Sequence, residues 1–443
     1  MVMQWLRLFC RYYSTNNASF VKNDAFKARS VAYLMMLTVR AEYSRKIVML
    51  AWWSFMVTLN TSSLSLNLAC LNADRVGLDN NSIAEFHYPW LRDNCHCHEC
   101  YHPDTHERIL VSAEIPFCLR AETAQIEGDW LNVEWNDRGH KSAYQLTWLA
   151  EHSYSQSTLA SQNTFLADPA VGEITTWGRD LQQNIATFEY AKLYADPSQL
   201  LAFCQAIRDY GLCIVRGAPA VEGEIERFAE HIACVRETIY DRLHNVRASP
   251  GEYNAYNVAS TTLELKPHTD MPNYNNPPGV QMFHFLVNDS IGGESTAVDG
   301  ARVAEQLKAQ DPEAFDLLAN TPMCFRMFSD RGDVINSNPL LTLGVDGELR
   351  VFRFSNQLAQ PVNLPVNKME AFYLAYRKLG KLVEAPENKV EFRLNTGDLM
   401  VTNNLRVLHG RNAYDSSTGD RHLQLSYMDF DDVLSRIRML LKT

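Results

Sequence analysis

The chain has 443 residues, of which 46% are hydrophobic and 21% charged, and a net charge of -11. That length leaves room for two or three domains and a sizeable core, and the composition is that of an ordinary soluble globular protein. The acidic balance speaks against a nucleic-acid partner, which calls for a basic footprint. Ten cysteines scattered through so long a chain do not form a disulfide framework and point to a reducing compartment.

Residues 1–63 differ from the rest and are read as an N-terminal extension of unknown role. Eight Lys and Arg stand against Asp24 and Glu42 in the first fifty residues, a bias shared by mitochondrial presequences. The stretch Ile47 to Leu59 is apolar but too short for a bilayer, which takes about 20 residues. No membrane partner is expected, and the compartment expected is the cytoplasm, or the mitochondrion if the extension is a presequence.

Residues 64–154 read as a small β-rich domain. Within it, Cys95-His96-Cys97-His98-Glu99-Cys100 places three thiols in six residues, enough to reach one tetrahedral ion, and thiolate is the soft ligand zinc favours. A fourth ligand must close the site, and His98, His102 and His106 stand nearby. With four protein ligands the zinc would be structural. Residues 155–189, with Ser, Asn, Gly and Thr spread through them, read as a linker.

The second domain is expected over 190–443. Asp196-Pro197-Ser198 starts a helix with a capping acid and an early Pro, Leu200, Leu201, Cys204 and Ile207 form its apolar stripe, and Gly211 stops it. Leu212 to Gly217 is a buried strand, and Val221 to Val235 a further helix. After Leu265-Lys266-Pro267-His268-Thr269-Asp270, Val280 to Val287 is a strand in which His284 is read as a packed or surface residue rather than a ligand. Ser295 to Val298 is another strand, Ala301 to Leu318 an amphipathic helix, Glu348 to Phe354 a strand and Lys368 to Val383 a helix. Leu399 to Thr402 then delivers His409. Many short strands with Gly and Pro turns and a few helices suit a mostly β fold, a double-stranded β-helix of the jelly-roll or cupin kind with flanking helices.

His-x-Asp alone is a weak signal. In an extended segment, however, His268 and Asp270 point the same way and can grip one ion. His409 from another strand would complete the two-imidazole, one-carboxylate set of a facial Fe(II) site, which leaves coordination positions open. Twelve residues after His409, Arg421, Leu423, Leu425 and Tyr427 share one face of a period-2 strand. A planar guanidinium there is what the far end of a dicarboxylate co-substrate needs.

These segments resemble the γ-butyrobetaine and trimethyllysine branch of the 2-oxoglutarate-dependent oxygenases. The likeness rests on His268-Thr269-Asp270, Pro277-Pro278-Gly279, Gly292-Gly293-Glu294-Ser295, Val298-Asp299-Gly300, Leu408-His409-Gly410-Arg411 and Arg421-His422-Leu423-Gln424, and runs from about Leu64 to the C-terminus. It implies Fe(II) on His268, Asp270 and His409, and 2-oxoglutarate held by Arg421, with Ser295 a lesser candidate. It implies His140 as the fourth zinc ligand beside Cys95, Cys97 and Cys100. O2 and a small trimethylammonium acid would be the other reactants, with ascorbate as reductant, and a homodimer is the expected assembly. Tyr427, Tyr240 and Asn257 match substrate positions. Tyr253, Tyr256 and Tyr274 are read as packing, and Arg353 as either a second acid-binding group or a solvated strand residue. The chain departs from relatives that carry aromatics where His244, Ser260 and Met271 stand. The expected reaction is hydroxylation of γ-butyrobetaine to L-carnitine; the alternatives are a trimethyllysine or trimethylammonium-phosphonate hydroxylase and, from another class, a non-catalytic cupin-like binding protein. A zinc hydrolase is disfavoured, since the chain has no His-Glu-x-x-His.

Overall fold

The computed structural model describes residues 73–78, 82–154, 168, 170–248, 261–329 and 331–442. The expected extension over 1–63 lies outside them, as do Tyr253, Tyr256, Asn257 and Ser260. The chain divides at residue 165 into two compact units.

In the first unit a hairpin, Ala73–Leu78 with Ser82–His87, leads into a one-and-a-half-turn helix, Tyr88–Asp93. A three-stranded antiparallel sheet follows, Ala121–Glu127, Trp130–Trp135 and Lys141–Gln145. Strand alternation sends Leu131, Val133 and Trp135 inward, where they pack with Phe86, Leu91 and Tyr144. Two polar tips inside this core find partners. The Trp135 indole donates to Ser142 Oγ at 2.8 Å, and the Tyr144 hydroxyl donates to the Leu91 carbonyl. The second bond ties the sheet to the helix that delivers the cysteine run.

The second unit is built on two sheets. Six strands lie in the order His244–Ala248, Arg421–Met428, Val280–Asn288, Leu399–Asn403, Leu212–Arg216, Ala186–Glu189. All neighbours are antiparallel except the last pair. Four more strands, Leu265–His268, Val407–Arg411, Ser295–Asp299 and Lys389–Phe392, form the other sheet, also antiparallel. One face of the six-stranded sheet carries Met282 and Val401 against the helices Pro197–Asp209, Glu224–Ile232 and Phe430–Leu440. Its opposite face carries Phe283, Phe285, Met400 and Leu423, which meet Ala297 of the four-stranded sheet. A separate helical layer, Gly300–Gln310, Pro312–Asn320 and Val366–Glu384, packs on Phe325 and Phe352.

Local chemistry accounts for the boundaries. Asp196 caps Pro197–Asp209 by accepting from the Ser198 N–H at 2.9 Å, and Gly211 takes a φ of +73° just beyond it. The single helix expected over Ala301 to Leu318 is two, because Asp311 caps a new one by accepting from the Ala314 N–H at 3.0 Å, with Pro312 in its first turn. The helix expected over Val221 to Val235 is confined to Glu224–Ile232. Strand Ala186–Glu189 already belongs to the six-stranded sheet, so ordered structure starts before the expected end of the linker. His284 is packed: it is 0% exposed.

Candidate functional site

His268 closes strand Leu265–His268 and lies directly opposite His409 in the antiparallel ladder. The two imidazoles therefore meet, with ring centroids 4.4 Å apart. Gly410 is glycine for a steric reason. A Cβ there would stand 2.6 Å from the Leu265 carbonyl oxygen and 2.7 Å from Thr296 Oγ1, so any side chain would push apart the strands that position His409. His268 Nδ1 donates to the Lys266 carbonyl at 2.9 Å, which orients the ring and turns Nε2 toward Asp270. That Nε2 stands 3.3 Å from Asp270 Oδ1, and His409 Nε2 stands 3.9 Å from the same oxygen. Donor atoms of all three residues lie within 4.8 Å of one another.

The other half of the Asp270 carboxylate is held by residues that are not ligand candidates. Tyr427 Oη donates to Oδ2 at 2.8 Å and Gln281 Nε2 donates to it at 2.5 Å. Asn404 clamps the backbone on either side, accepting from the Asp270 N–H at 2.7 Å and donating to the Asp270 and Pro278 carbonyls at 2.9 Å each. Met271 follows in the left-handed region, φ +54°, so the chain reverses immediately after the carboxylate. Burial works to raise the Asp270 pKa, but the hydrogen bond to His268 and the charges of His409 and His268 outweigh it, and the carboxyl stays well below the usual range. Burial, with His268 alongside, lowers His409 to about 3. One carboxylate oxygen and two imidazole nitrogens converging on one point are the donor set of a divalent iron site.

A cavity of about 130 Å³ opens beside these residues, between the two sheets. Arg421, Leu423, Leu425 and Tyr427 all line it, the single face that strand periodicity assigns them. Arg421 is 5% exposed and its guanidinium lies over the rings of Phe285 and Tyr414, 5.4 and 5.5 Å from their centroids. Its Nε has no hydrogen-bond partner among the described residues. Burial first, then Arg411 and Arg393, lower its pKa to about 9, so it stays charged at neutral pH. A buried cation with no counter-ion calls for an anionic occupant. Arg411 lines the same end, and Ser295, 4% exposed, lies opposite it in the ladder.

Tyr240 lines the cavity too, its hydroxyl 3.0 Å from Met327 Sδ. Tyr274 does not; its hydroxyl accepts from the Ile239 N–H, in keeping with a packing role. Arg353 is no solvated strand residue. It is 3% exposed, donates to Thr342 Oγ1 at 2.6 Å and the Asn275 carbonyl at 3.0 Å, and does not line the cavity. Gln281 and Asn404 were not foreseen as parts of the site, and His244 only as a position where relatives carry an aromatic. Gln281 had a local signal, since it shares a strand face with the cavity residues Phe283 and Phe285; the other two depend on contacts distant in sequence.

In the first unit Cys95, Cys97 and Cys100 gather round His140, whose Nε2 lies 3.4, 3.6 and 3.5 Å from their sulfurs. His98, His102 and His106 are exposed and stay outside the cluster. Glu99 stands 3.4 Å from His140 Nδ1, and Arg92, paired with Asp137, donates to Cys100 Sγ at 3.2 Å. Burial pushes the Cys100 thiol up to about 12 against the pull of Arg92. Thiols so placed ionise together only when a cation joins them, and three sulfurs with one nitrogen fit a closed tetrahedral zinc site.

The comparisons with known proteins agree with this geometry. The family model for taurine catabolism dioxygenase TauD, TfdA family, matches residues 172–427, and that for the gamma-butyrobetaine hydroxylase-like N-terminal region matches 75–163. The chain belongs to the TauD/TfdA dioxygenase family. It is a dioxygenase that works with Fe(II) and 2-oxoglutarate, on a small molecule with O2. Gamma-butyrobetaine dioxygenase of Pseudomonas sp. is 36% identical over 360 residues, covering 81% of this chain and 91% of that protein. The mitochondrial trimethyllysine dioxygenase of Homo sapiens is 31% identical over 368 residues, covering 81% and 84%. Human gamma-butyrobetaine dioxygenase is 31% identical over 363 residues, covering 80% and 91%.

Proposed function

We propose that the protein hydroxylates γ-butyrobetaine to L-carnitine, with His268, Asp270 and His409 as the iron ligands. The observation that carries the reading is the 36% identity to a γ-butyrobetaine dioxygenase over nine-tenths of its length. The cavity supports it, because arginines line one part and the rings of Tyr240 and Tyr427 another. Bound iron, with 2-oxoglutarate and O2, supplies the power to hydroxylate an unactivated C–H bond while the co-substrate becomes succinate and CO2.

The protein's own groups bind, orient and exclude water. Tyr427 and Gln281 turn Asp270 so that Oδ1 faces the two imidazoles. Arg421, with Ser295 beside it, receives the distal carboxylate of 2-oxoglutarate in a pocket walled by Phe285, Leu423 and Leu425. Tyr240 and Tyr427 offer ring faces to a trimethylammonium group, which has no proton to donate, and Asn257 meets the substrate's acid end. On this reading the two sheets of the second unit are a jelly-roll oxygenase domain, and residues 64–154 form a structural domain closed by zinc on Cys95, Cys97, Cys100 and His140. The working form is a cytoplasmic homodimer, with ascorbate keeping the iron reduced. No helix among the described residues is long and apolar enough to cross a membrane.

Trimethyllysine is the second reading, favoured by relatives of that name at 31% identity. The test is succinate formation by the purified protein with Fe(II), ascorbate and 2-oxoglutarate, offered γ-butyrobetaine, trimethyllysine, a trimethylammonium phosphonate or no substrate. Stimulation by γ-butyrobetaine that vanishes in His268→Ala is the expected result. Stimulation by trimethyllysine alone moves the assignment to the second reading, and no stimulation by any of them, with iron and 2-oxoglutarate still bound, keeps the site and discards the betaine reading.

A further inference from the structure

We propose that His244 makes the enzyme accept a tertiary ammonium substrate as well as the quaternary one, by taking a hydrogen bond from the single N–H that a protonated dimethylamino group carries. The inference rests on the betaine reading above and extends it to which degree of N-methylation the pocket admits.

His244 begins the edge strand of the six-stranded sheet and lines the cavity. Its ring lies against that of Tyr240, centroids 4.4 Å apart and planes tilted by 37°. Its Nε2 is buried, and nothing among the described residues pairs with it. A ring nitrogen in that state is costly unless the cavity's occupant supplies the partner.

Register says which end of a substrate arrives there. His244 lies opposite Leu425, whereas Arg421 lies opposite Ala248. Four residues of strand therefore separate His244 from the Arg421 end, about 13 Å at the usual rise. Tyr427 extends two residues further on the His244 side, so the ladder puts Arg421 away from the rings of His244 and Tyr427. A cationic head avoids the arginines and settles among these rings. Asp270 is the sole acid lining the cavity among the described residues, and its oxygens are already engaged by His268, His409, Tyr427 and Gln281. With no other carboxylate present, the head group is recognised by ring faces and by one imidazole nitrogen. Burial lowers the His244 pKa, so the ring is neutral and does not repel a cation, and with its proton on Nδ1 it offers a lone pair at Nε2. A trimethylammonium group leaves that lone pair unused; a dimethylammonium group satisfies it.

The experiment compares kcat/KM for γ-butyrobetaine and for its dimethylamino analogue, read as succinate formation, in the wild type, His244→Phe and His244→Gln. The wild type is expected to turn over both. His244→Phe keeps a ring but no acceptor, and its preference for the trimethyl substrate should rise about tenfold, carried by KM for the dimethyl compound. His244→Gln keeps an acceptor and should hold the wild-type ratio more closely than His244→Phe. Because each ratio is taken within one variant, it does not depend on the fraction folded. A ratio unchanged in His244→Phe, or a wild type that rejects the dimethyl substrate while using the trimethyl one, overturns the role of His244 and leaves the betaine reading standing. A wild type that uses neither overturns both.

Discussion

Removing only the hydroxyl of Tyr427 separates two roles that this residue combines. Its ring lines the cavity, while its Oη donates to Asp270 Oδ2 at 2.8 Å. Full burial and the neighbouring carboxylate raise the Tyr427 pKa well above 10, so the phenol is a donor at every working pH. Tyr427→Phe leaves Gln281 as the remaining side-chain donor to Oδ2 and frees the carboxylate to rotate. A hydrogen bond to a charged group contributes about 1.5–3 kcal/mol, and loss of a partner behind a metal ligand typically costs roughly 10–100-fold in metal affinity. Anaerobic calorimetric titration with Fe(II) should therefore show a Kd raised by about that factor, with the KM for γ-butyrobetaine little changed because the ring remains. Tyr427→Leu should weaken iron equally and raise the substrate KM as well. An iron Kd within about twofold of wild type in Tyr427→Phe would refute the positioning role, since the expected loss is at least tenfold.

Arg421→Met should raise the KM for 2-oxoglutarate by roughly 10–100-fold, the loss of a charge-assisted pair, yet raise the melting temperature, because the buried guanidinium has no counter-ion among the described residues; an unchanged KM or a lowered melting temperature contradicts the assignment. Cys100→Ser should abolish stoichiometric zinc measured by elemental analysis and destabilise the first unit, whereas retained zinc would mean that the cluster is not its site. His284 is buried with both ring nitrogens unpaired, and burial lowers its pKa to about 4. Its neutral form is favoured in the folded state, so its contribution is fully present above the unfolded value near 6.5 and is lost as pH falls towards 4. Between about pH 7.5 and pH 5 this amounts to about 2 kcal/mol. Urea denaturation should show His284→Leu losing correspondingly less stability over that range than the wild type, and equal losses would exclude His284 as an acid trigger.

What could be seen in the sequence follows the range of the interactions involved. His268 and Asp270 are two residues apart on extended chain, and Arg421 to Tyr427 alternate on one strand face, so their common direction is a local property. The cap at Asp311 and the Pro after it were equally local, and they divide a stretch whose apolar periodicity alone looks like one helix. Arg353 could not be judged this way. Its burial depends on Thr342 and the Asn275 carbonyl, and a strand arginine is written the same way whether solvent or protein receives it. Among the imidazoles near the cysteines, proximity in sequence favoured His98, His102 and His106, while the one that the fold brings to the sulfurs, His140, lies 40 residues from Cys100.

The same distinction explains why the three proposed iron ligands are only part of the site. Three donor atoms define where an ion goes, but their orientation is set by partners that periodicity does not reveal: the Lys266 carbonyl on His268, and Tyr427 and Gln281 on Asp270. Asn404 adds a third constraint, joining the Asp270 and Pro278 backbones to the turn just before the His409 strand. The polar atoms left without partners are as informative. Arg421 Nε and His244 Nε2 are both buried and find no partner among the described residues, and both residues line one cavity. On the reading proposed above, they are open to what enters that cavity: an anion at the arginine, and a cationic head group beside the imidazole.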